Sequence, residues 1–400
     1  MNSKKMRICI FLLIAAMIFC GCEKNDNTQD ELYQDTLQIN LVSSKEYSPA
    51  LKCLIADFEE TDGGMRVNLV EMNGDLDKLY DIYSASLGSH SDAFDVYLVD
   101  NTWIENLGKK GCITPLDDRN MASDKYIDVF VKDCYVDGTL FAKPFSANLD
   151  WIYYRKDLLE KVPATWEEWI TAGRRAADEG VVKYGGVAQC VGGDEMMTTA
   201  REMIKSCGDT DSGLELYKSI AEMGDSTLTS DCNRYVKAFS AGSALFMKGS
   251  TPVWHTVNGD GSAVGMKVGV APLPADVEEK PTSLLCGTSL VVSKYSNNAD
   301  RAAKLIDYLT DTEAQTQAAI MFGVMPVIAD VYDNYRVIEE NPHFKTIDTD
   351  KFGSYVKKSV GSDYLVDVTE AENAVKDFLL GKSNTAQTST TVNKFLSKYR

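Results

Sequence analysis

The segment from Asp137 to Leu159 limits the folds open to this chain more than any other stretch. It begins with the tight-turn dipeptide Asp137-Gly138, continues with β-branched, aromatic and polar residues, and changes at Arg155 to the charged start of a helix. This order predicts a hairpin, a long strand and a helix. Because Pro144 has no backbone donor, the strand must lie at a sheet edge or pass between two sheets. The pattern is typical of a chain that leaves one lobe and enters another.

Before this segment, runs with strand spacing and runs with helix spacing alternate. Strands are predicted at 37–42, 65–70 and 94–99, and helices at 49–59 and 76–87. This order requires crossover connections, so the strands should form a parallel sheet with helices on both faces. Ligands of such sheets lie beyond the carboxyl ends of the strands, which points to the loops 43–48 and 100–103.

After this segment, strands and helices continue to alternate. Thr165 begins a helix with the capping box Thr-Trp-Glu-Glu, and we expect Trp166 and Trp169 in that helix to pack in a core. Further strands are predicted at 184–188, 244–247, 268–271 and 284–293, and helices at 195–206, 213–223, 231–240, 298–309, 313–322, 369–380 and 391–399. The strand at 284–293 should cross back to the first lobe.

The N-terminus has the features of a secretory signal. Basic residues within the first seven positions precede a short apolar run at 8–20 and a small residue before the expected cut. The apolar run is too short for a comfortable membrane span, although an uncleaved anchor is the alternative. We therefore expect residues 1–21 to be removed on export.

Gly21-Cys22 resembles the end of a bacterial lipoprotein signal, in which the cysteine is acylated and becomes the first residue. Phe19 departs from the leucine that is usual at its position. Residues 22–35 are polar and have little to bury, so we expect a disordered tether with a reach of roughly 20 Å. The resemblance implies a lipid anchor at Cys22, on the extracellular face of the bacterial cytoplasmic membrane.

Composition excludes some function classes and leaves others open. With 400 residues, of which 44% are hydrophobic, the chain can bury a large core and should divide into two lobes. A net charge of −18 makes nucleic acid and anionic lipid poor partners. The sequence has no G-x-S-x-G, H-E-x-x-H or Walker motif. A glycosidase needs only two carboxylates, so composition alone does not exclude one.

The cysteines give no sign of a metal or redox site. Cys9 and Cys20 would leave with the signal and Cys22 is the proposed anchor, so an odd number remains and at least one thiol stays unpaired. None of the remainder has C-x-x-C spacing, and we expect neither a metal nor a cofactor. One disulfide is left open among Cys53, Cys112, Cys134, Cys190, Cys207, Cys232 and Cys286.

Several motifs together carry a family resemblance. The run "DGTLFAKPFSANLDWIYYRKDLLEKVPATWEEW" resembles the hinge-crossing segment of the extracellular solute-binding proteins of ABC importers, in particular the carbohydrate-binding group. Four further motifs agree in order: "AFDVYLVDNTWIENLGKKGCITPLDD", "FSAGSALFMKG" followed by Trp254, "LVVSKYSNNADRAAKLIDYLTDTEAQ" and "FGVMP". The resemblance extends from about Leu37 to the end of the chain.

The resemblance implies an α/β, two-lobed periplasmic-binding-protein-like fold, each lobe a mainly parallel sheet flanked by helices. We assign 36–145 and 285–335 to lobe 1, and 146–284 and 336–400 to lobe 2. The resemblance also implies a non-catalytic, monomeric receptor that captures a carbohydrate between the lobes and delivers it to the permease subunits of an ABC transporter.

Sugar binding requires flat aromatic faces against the C–H patches of the ring, and amides, hydroxyls or carboxylates for its hydroxyl groups. The aromatic candidates are Tyr47, Trp103, Trp151 and Trp254. The polar candidates are Asp100, Asn101, Asn148, Asp150, Asn258 and Thr288. In the resembling family a tryptophan near position 254 commonly stacks on sugar. The alternative is that the polar residues are turn formers and that Trp151 and Trp254 are core residues.

We expect a neutral mono- or oligosaccharide as the ligand. The loops carry no Lys or Arg cluster beyond Lys45, which a phosphorylated sugar would require. A polyamine or another small polar solute is the main alternative, because aromatic residues with carboxylates also suit ammonium groups. A secreted glycoside hydrolase is a more remote one.

Overall fold

The computed structural model describes residues 37–74, 76–117, 121, 125–188, 194–224, 234–274, 282–354, 356–357 and 364–399. The predicted signal at 1–21, the tether at 22–35 with Cys22, and the cysteines Cys190 and Cys232 lie outside the described residues. The described cysteines Cys53, Cys112, Cys134, Cys207 and Cys286 are free thiols.

The strands form two main sheets and one short hairpin. They are β1 (Leu37–Ser44), β2 (Met65–Met72), β3 (Val96–Asp100), β4 (Tyr135–Val136), β5 (Thr139–Leu140), β6 (Ala142–Asn148), β7 (Asp150–Arg155), β8 (Tyr184–Val187), β9 (Ala244–Ser250), β10 (Val268–Pro272), β11 (Leu284–Val292) and β12 (Val356–Lys357). The first sheet has the order β12-β11-β3-β1-β2, with β6 paired to β11, and the second has the order β10-β7-β9-β8. Strands β4 and β5 form the hairpin.

Both sheets are mixed, which corrects the predicted mainly parallel arrangement. In the first sheet β1 and β3 are parallel, whereas β11 is antiparallel to β3 and β6. In the second sheet β8 and β9 are parallel, whereas β7 is antiparallel to β9 and β10. One reason is that β7 follows β6 of the other sheet directly, through Leu149, without the helical crossover that makes neighbouring strands parallel.

Amphipathic helices cover these sheets. They are α1 (Ser48–Asp62), α2 (Leu76–Gly88), α3 (Ile104–Lys109), α4 (Asp128–Asp133), α5 (Trp166–Asp178), α6 (Asp194–Cys207), α7 (Thr210–Glu222), α8 (Arg234–Ser240), α9 (Val253–Asn258), α10 (Ala299–Leu309), α11 (Thr312–Phe322), α12 (Tyr335–Glu340), α13 (Tyr364–Leu379) and α14 (Thr385–Lys398). The predicted packing of Trp166 and Trp169 is confirmed, since both rings are buried and Trp169 lies 5.3 Å from the ring of Phe246. No helix within the described ranges has the length and apolar character needed to cross a bilayer.

The segment from Asp137 to Leu159, with which the sequence analysis began, connects the two sheets. Its turn has left-handed backbone at Asp137 and Gly138, as the hairpin prediction requires. The predicted single strand is two strands, β6 in the first sheet and β7 in the second, which meet at Leu149. The predicted helix start at Arg155 is wrong: Arg155 ends β7, where it pairs with Val268, and the next helix begins at Trp166.

Phe352 and strand β12 contact elements of the first sheet, although 336–400 was predicted to belong to the second lobe. Strand β12 pairs with the start of β11, which belongs to the first sheet. The ring of Phe352 lies 5.7 Å from that of Phe130, on α4. Helices α13 and α14, in contrast, share a buried core with Ile152 and Phe246 of the second sheet.

Candidate ligand site

Three hydroxyl groups meet where β6, β11 and β3 lie side by side. Thr288 of β11 stands opposite Ser146 of β6 and opposite Asp100 of β3. The Ser146 hydroxyl donates to the Tyr47 hydroxyl at 3.1 Å and lies 2.7 Å from the Thr288 hydroxyl. Burial raises the pKa of Tyr47, so its phenol stays neutral. We call Tyr47, Ser146 and Thr288 the neutral network.

Asn101 lies beside this network and depends on a glycine. The Ser289 hydroxyl donates to Asn101 Oδ1 at 2.7 Å. A Cβ atom on Gly287 would lie 2.9 Å from both Asn101 Nδ2 and the Ser146 carbonyl oxygen. Because real Cβ atoms do not come this close to other heavy atoms, glycine at this position allows the amide to approach β11.

The other two candidates after β3 have local structural roles. The Asp100 carboxylate caps the short 3₁₀ helix Asn101–Trp103, accepting the backbone N–H of Thr102 at 2.9 Å and its hydroxyl hydrogen. Trp103 is buried, with its ring 5.3 Å from that of Tyr80 and 5.9 Å from that of Tyr83. The structure therefore places Trp103 in a core and Asp100 at a helix cap.

A second polar group lies at the start of β7. The Lys248 ammonium forms an ion pair with Asp150, lies 2.8 Å from Glu202 Oε2, and donates to the Thr199 hydroxyl at 3.0 Å. Glu202 is 0% exposed and Lys248 is 5% exposed. We call Asp150, Thr199, Glu202 and Lys248 the charged cluster.

The charges of this cluster are shifted by burial and by each other. Burial raises the pKa of Glu202, the Lys248 charge opposes that shift, and the Asp150 charge adds to it. Burial alone would lower the pKa of Lys248, but the two carboxylates outweigh it and keep the ammonium charged. With two acids and one base, a bound proton on Glu202 makes the cluster neutral.

Trp151 and Trp254 are both buried, at 3% and 6% exposure. The indole N–H of Trp151 donates to the Thr251 hydroxyl at 3.0 Å, and that of Trp254 donates to the Glu340 carbonyl at 2.9 Å. Asn148 holds the same turn, because its Oδ1 accepts the Thr251 N–H at 3.0 Å. These partners fit a packing role, and ligand contact by either tryptophan stays a prediction.

His343 joins the two tryptophans and was missed by the sequence reasoning. Its ring lies 5.4 Å from that of Trp151 and 5.3 Å from that of Trp254. Burial lowers its pKa to about 3, and neither ring nitrogen has a hydrogen-bond partner among the described residues. Nothing near position 343 in the sequence indicated this, because both rings come from distant parts of the chain.

Asn258 has a turn role, as the alternative interpretation allows. Its Oδ1 accepts the backbone N–H of Met266 at 3.1 Å.

In the described ranges, no three His, Cys, Asp or Glu side chains converge in a way that could hold a metal ion. The structure thus joins Tyr47 and Thr288 through Ser146, and it connects Asp150 to Lys248 and Glu202, which the sequence had not singled out.

A family model described as bacterial extracellular solute-binding protein matches residues 53–346. A probable ABC transporter-binding protein of Deinococcus radiodurans is 27% identical over 315 residues, which are 71% of this chain and 74% of the relative.

Two solved structures are similar in fold. The maltose-bound MalE3 of T. maritima has a TM-score of 0.84 at 21% identity, covering 90% of this chain and 99% of that one. A solute-binding protein of Agrobacterium vitis with bound D-mannitol has a TM-score of 0.77 at 21% identity, covering 90% and 97%. These likenesses confirm the predicted fold class, the α/β fold of two-lobed binding proteins.

Proposed function

The chain belongs to the bacterial extracellular solute-binding protein family, and from this premise we propose that it captures a neutral sugar or oligosaccharide and delivers it to the permease subunits of an ABC importer. It acts by binding and not by catalysis. The observation that carries the proposal is the neutral network on the first sheet, close to where β6 passes into the second sheet.

The chemistry of the candidate residues supports a neutral ligand. Hydroxyl and amide groups can both donate to and accept from sugar hydroxyls. The predicted set holds the carboxylates Asp100 and Asp150 and no Lys or Arg, and the nearby Lys248 is engaged by two acids. A phosphorylated ligand would lack a cation there, whereas a polyamine would find carboxylates and is the second candidate.

We propose that the lobes follow the sheets. Lobe 1 contains 36–145 and 285–335, and lobe 2 contains 146–284 and 336–400, except that 146–148, which end β6, and Phe352 with β12 join lobe 1. Membership of β6 and β11 in one sheet and of β7 and β10 in the other supports this division. Ligand binding closes the lobes, which should reduce the radius of gyration in solution scattering. Tight binding without compaction would contradict closure.

The membrane attachment rests on the sequence alone. We propose that Cys22 is acylated, that residues 22–35 form the tether, and that the monomeric protein works at the extracellular face of the cytoplasmic membrane. Replacing Cys22 by Ala should release the protein from the membrane fraction into the medium. A variant that stays in the membrane fraction would contradict the lipid anchor.

A thermal-shift screen tests the ligand class. Maltose and D-mannitol represent neutral ligands, spermidine represents a polyamine, and glycerol 3-phosphate represents an anion. We expect a neutral compound to raise the melting temperature. The panel would then be extended to other monosaccharides and oligosaccharides. Stabilisation by spermidine and by no sugar would overturn the sugar proposal in favour of the polyamine.

The proposal includes ligand contact by Trp254, which its replacement by Ala can test. Because the ring is buried, the variant should lose about 3–5 kcal/mol of stability in any case. If the ring also contacts the ligand, affinity should fall by about 1–3 kcal/mol in calorimetric titration. An unchanged affinity with a lowered melting temperature would remove Trp254 from the site.

A further inference from the structure

Two of the places where the chain passes from one sheet to the other lie near each other. One is Leu149, between β6 and β7, and the other ends at Leu284, the first residue of β11, which follows β10 in the order of strands. The charged cluster contacts both. Asp150 is the first residue of β7, and Glu202 reaches the first residue of β11 from helix α6.

The contacts at these passages form a closed ring. Glu202 Oε1 accepts the backbone N–H of Leu284 at 2.8 Å, and Glu202 Oε2 lies 2.8 Å from Lys248 Nζ. Lys248 holds the Asp150 carboxylate, and the Asp150 backbone N–H donates to the Ser283 hydroxyl at 2.8 Å. Ser283 precedes Leu284, which completes the ring. The two passages are therefore connected to each other through buried side chains of α6 and β9.

Stability alone does not account for such a cluster. Buried ion pairs rarely stabilise a fold more than apolar residues of the same volume, because desolvation offsets the attraction between the charges. What they do provide is a fixed geometry, since a buried charge tolerates few positions of its partner. Here the fixed elements are the first residues of β7 and β11, together with the Asp150 carboxylate.

We propose that Glu202 and Lys248 are positioning residues that fix the two sheet-to-sheet passages against each other and hold Asp150 in place for the ligand. This inference rests on the proposed binding function. Neither residue needs to contact the solute. They act on affinity through the backbone of Leu284 and the carboxylate of Asp150.

The test compares Glu202→Met with Glu202→Gln. Methionine removes the acceptor for the Leu284 N–H but leaves a balanced Lys248–Asp150 pair, so the variant should fold. Glutamine keeps an oxygen for Leu284. The readouts are amide hydrogen exchange of peptides that contain Leu284, and Kd for the panel compound that binds the wild type most tightly.

We expect Glu202→Met to speed exchange at Leu284 and to weaken binding at least about fivefold, a typical size for coupling between sites. Glu202→Gln keeps the acceptor for Leu284 but turns an NH2 donor towards Lys248 in place of Oε2, so it should restore slow exchange at Leu284 and give a Kd between those of the wild type and Glu202→Met. Lys143→Met is the matched control, because Lys143 is also buried and ion-paired, with Asp307 on α10. It should lower the melting temperature while exchange at Leu284 and Kd stay unchanged.

Two results would overturn the inference. One is wild-type exchange and affinity in Glu202→Met, and the other is an equal loss of affinity in Lys143→Met, which would mean general destabilisation. If no panel compound binds the wild type, the sugar proposal fails, and the exchange measurement still decides whether Glu202 fixes Leu284.

Discussion

The neutral network and the charged cluster lie near the same sheet-to-sheet passages but are built in opposite ways. Tyr47, Ser146 and Thr288 bond through hydroxyl groups, and burial keeps the Tyr47 phenol un-ionised. Glu202 and Lys248 are equally buried yet carry ionisable groups that depend on each other and on Asp150. The hydroxyl groups of the neutral network can exchange their partners for the hydroxyls of a solute, whereas the charged cluster cannot lose Lys248 without leaving its acids uncompensated. The difference suggests that recognition and positioning are separate tasks here.

The largest expected effect comes from breaking the charged cluster at its only base. Lys248→Met leaves Asp150 and Glu202 without the ammonium, so we expect a loss of about 3–5 kcal/mol in the free energy of unfolding, measured by urea denaturation. The triple variant Lys248→Met, Asp150→Asn, Glu202→Gln has no unpaired charge and should recover much of this loss. A loss below about 1 kcal/mol in the single variant would mean that the charges do not hold the region together.

The next effect is a dependence of stability on pH that the charged cluster should show and the neutral network should not. Burial raises the pKa of Glu202 from 4.5 to about 8, so the folded state holds this proton more tightly than the unfolded state. The contribution of this proton to the stability of the fold is therefore complete below about pH 4.5, and it is lost as the pH rises to about 8. At about 1.4 kcal/mol per pKa unit, the change amounts to a few kcal/mol.

The measurement is the difference in unfolding free energy between wild type and Glu202→Gln across that range. A difference is needed because His343 acts in the opposite direction: its lowered pKa makes stability fall as the pH drops from 6.5 towards 3. The wild type should lose stability relative to the variant between pH 4.5 and 8. A difference that is flat or has the opposite slope would show that Glu202 is ionised throughout.

A smaller effect is expected in the neutral network. Ser146→Ala removes the hydroxyl that donates to Tyr47, but Tyr47 keeps Thr288 as a partner, so we expect the loss of one hydrogen bond, about 0.5–1.5 kcal/mol. The loss should be the same at pH 5 and pH 8, unlike that of the charged cluster. Thr390→Ala is the control, because this exposed hydroxyl bonds to the carbonyl of Ala386 in its own helix and should change stability by less than about 0.5 kcal/mol.

Much of the fold could be predicted because its signals are local. The helix predicted at 298–309 is Ala299–Leu309, since amphipathic spacing and the turn before it are both in the sequence. Long-range pairing was not accessible in this way. Arg155 looked like a helix start, but it ends a strand because it pairs with Val268, more than a hundred residues away. The strand predicted to end at Met247 continues to Ser250 because its last three residues pair with residues 150–152 of β7, almost a hundred residues earlier in the chain.

The site was less predictable for the same reason. Composition and strand order identified Tyr47, Asp150 and Thr288, which come close to the passages. Glu202 had no distinctive local signal, because one acid in an amphipathic helix is usually exposed, and its burial depends on Lys248 and Leu284. A lysine within the apolar strand of residues 244–250 was the one available sign of a buried acid nearby.

The smallest change in stability is expected for Thr288→Val. This variant separates ligand recognition from positioning most clearly. Valine keeps the shape of threonine, and Ser146 keeps its bond to Tyr47, so no buried group is left without a partner. Since Thr288 is only half-buried, we expect a loss of stability below about 1 kcal/mol. If its hydroxyl serves the ligand, affinity for the best sugar of the panel should fall about fivefold, or about 1 kcal/mol. A stability loss above about 2 kcal/mol with unchanged affinity would instead make Thr288 part of the scaffold, and the distinction between recognition and positioning would then fail in the neutral network.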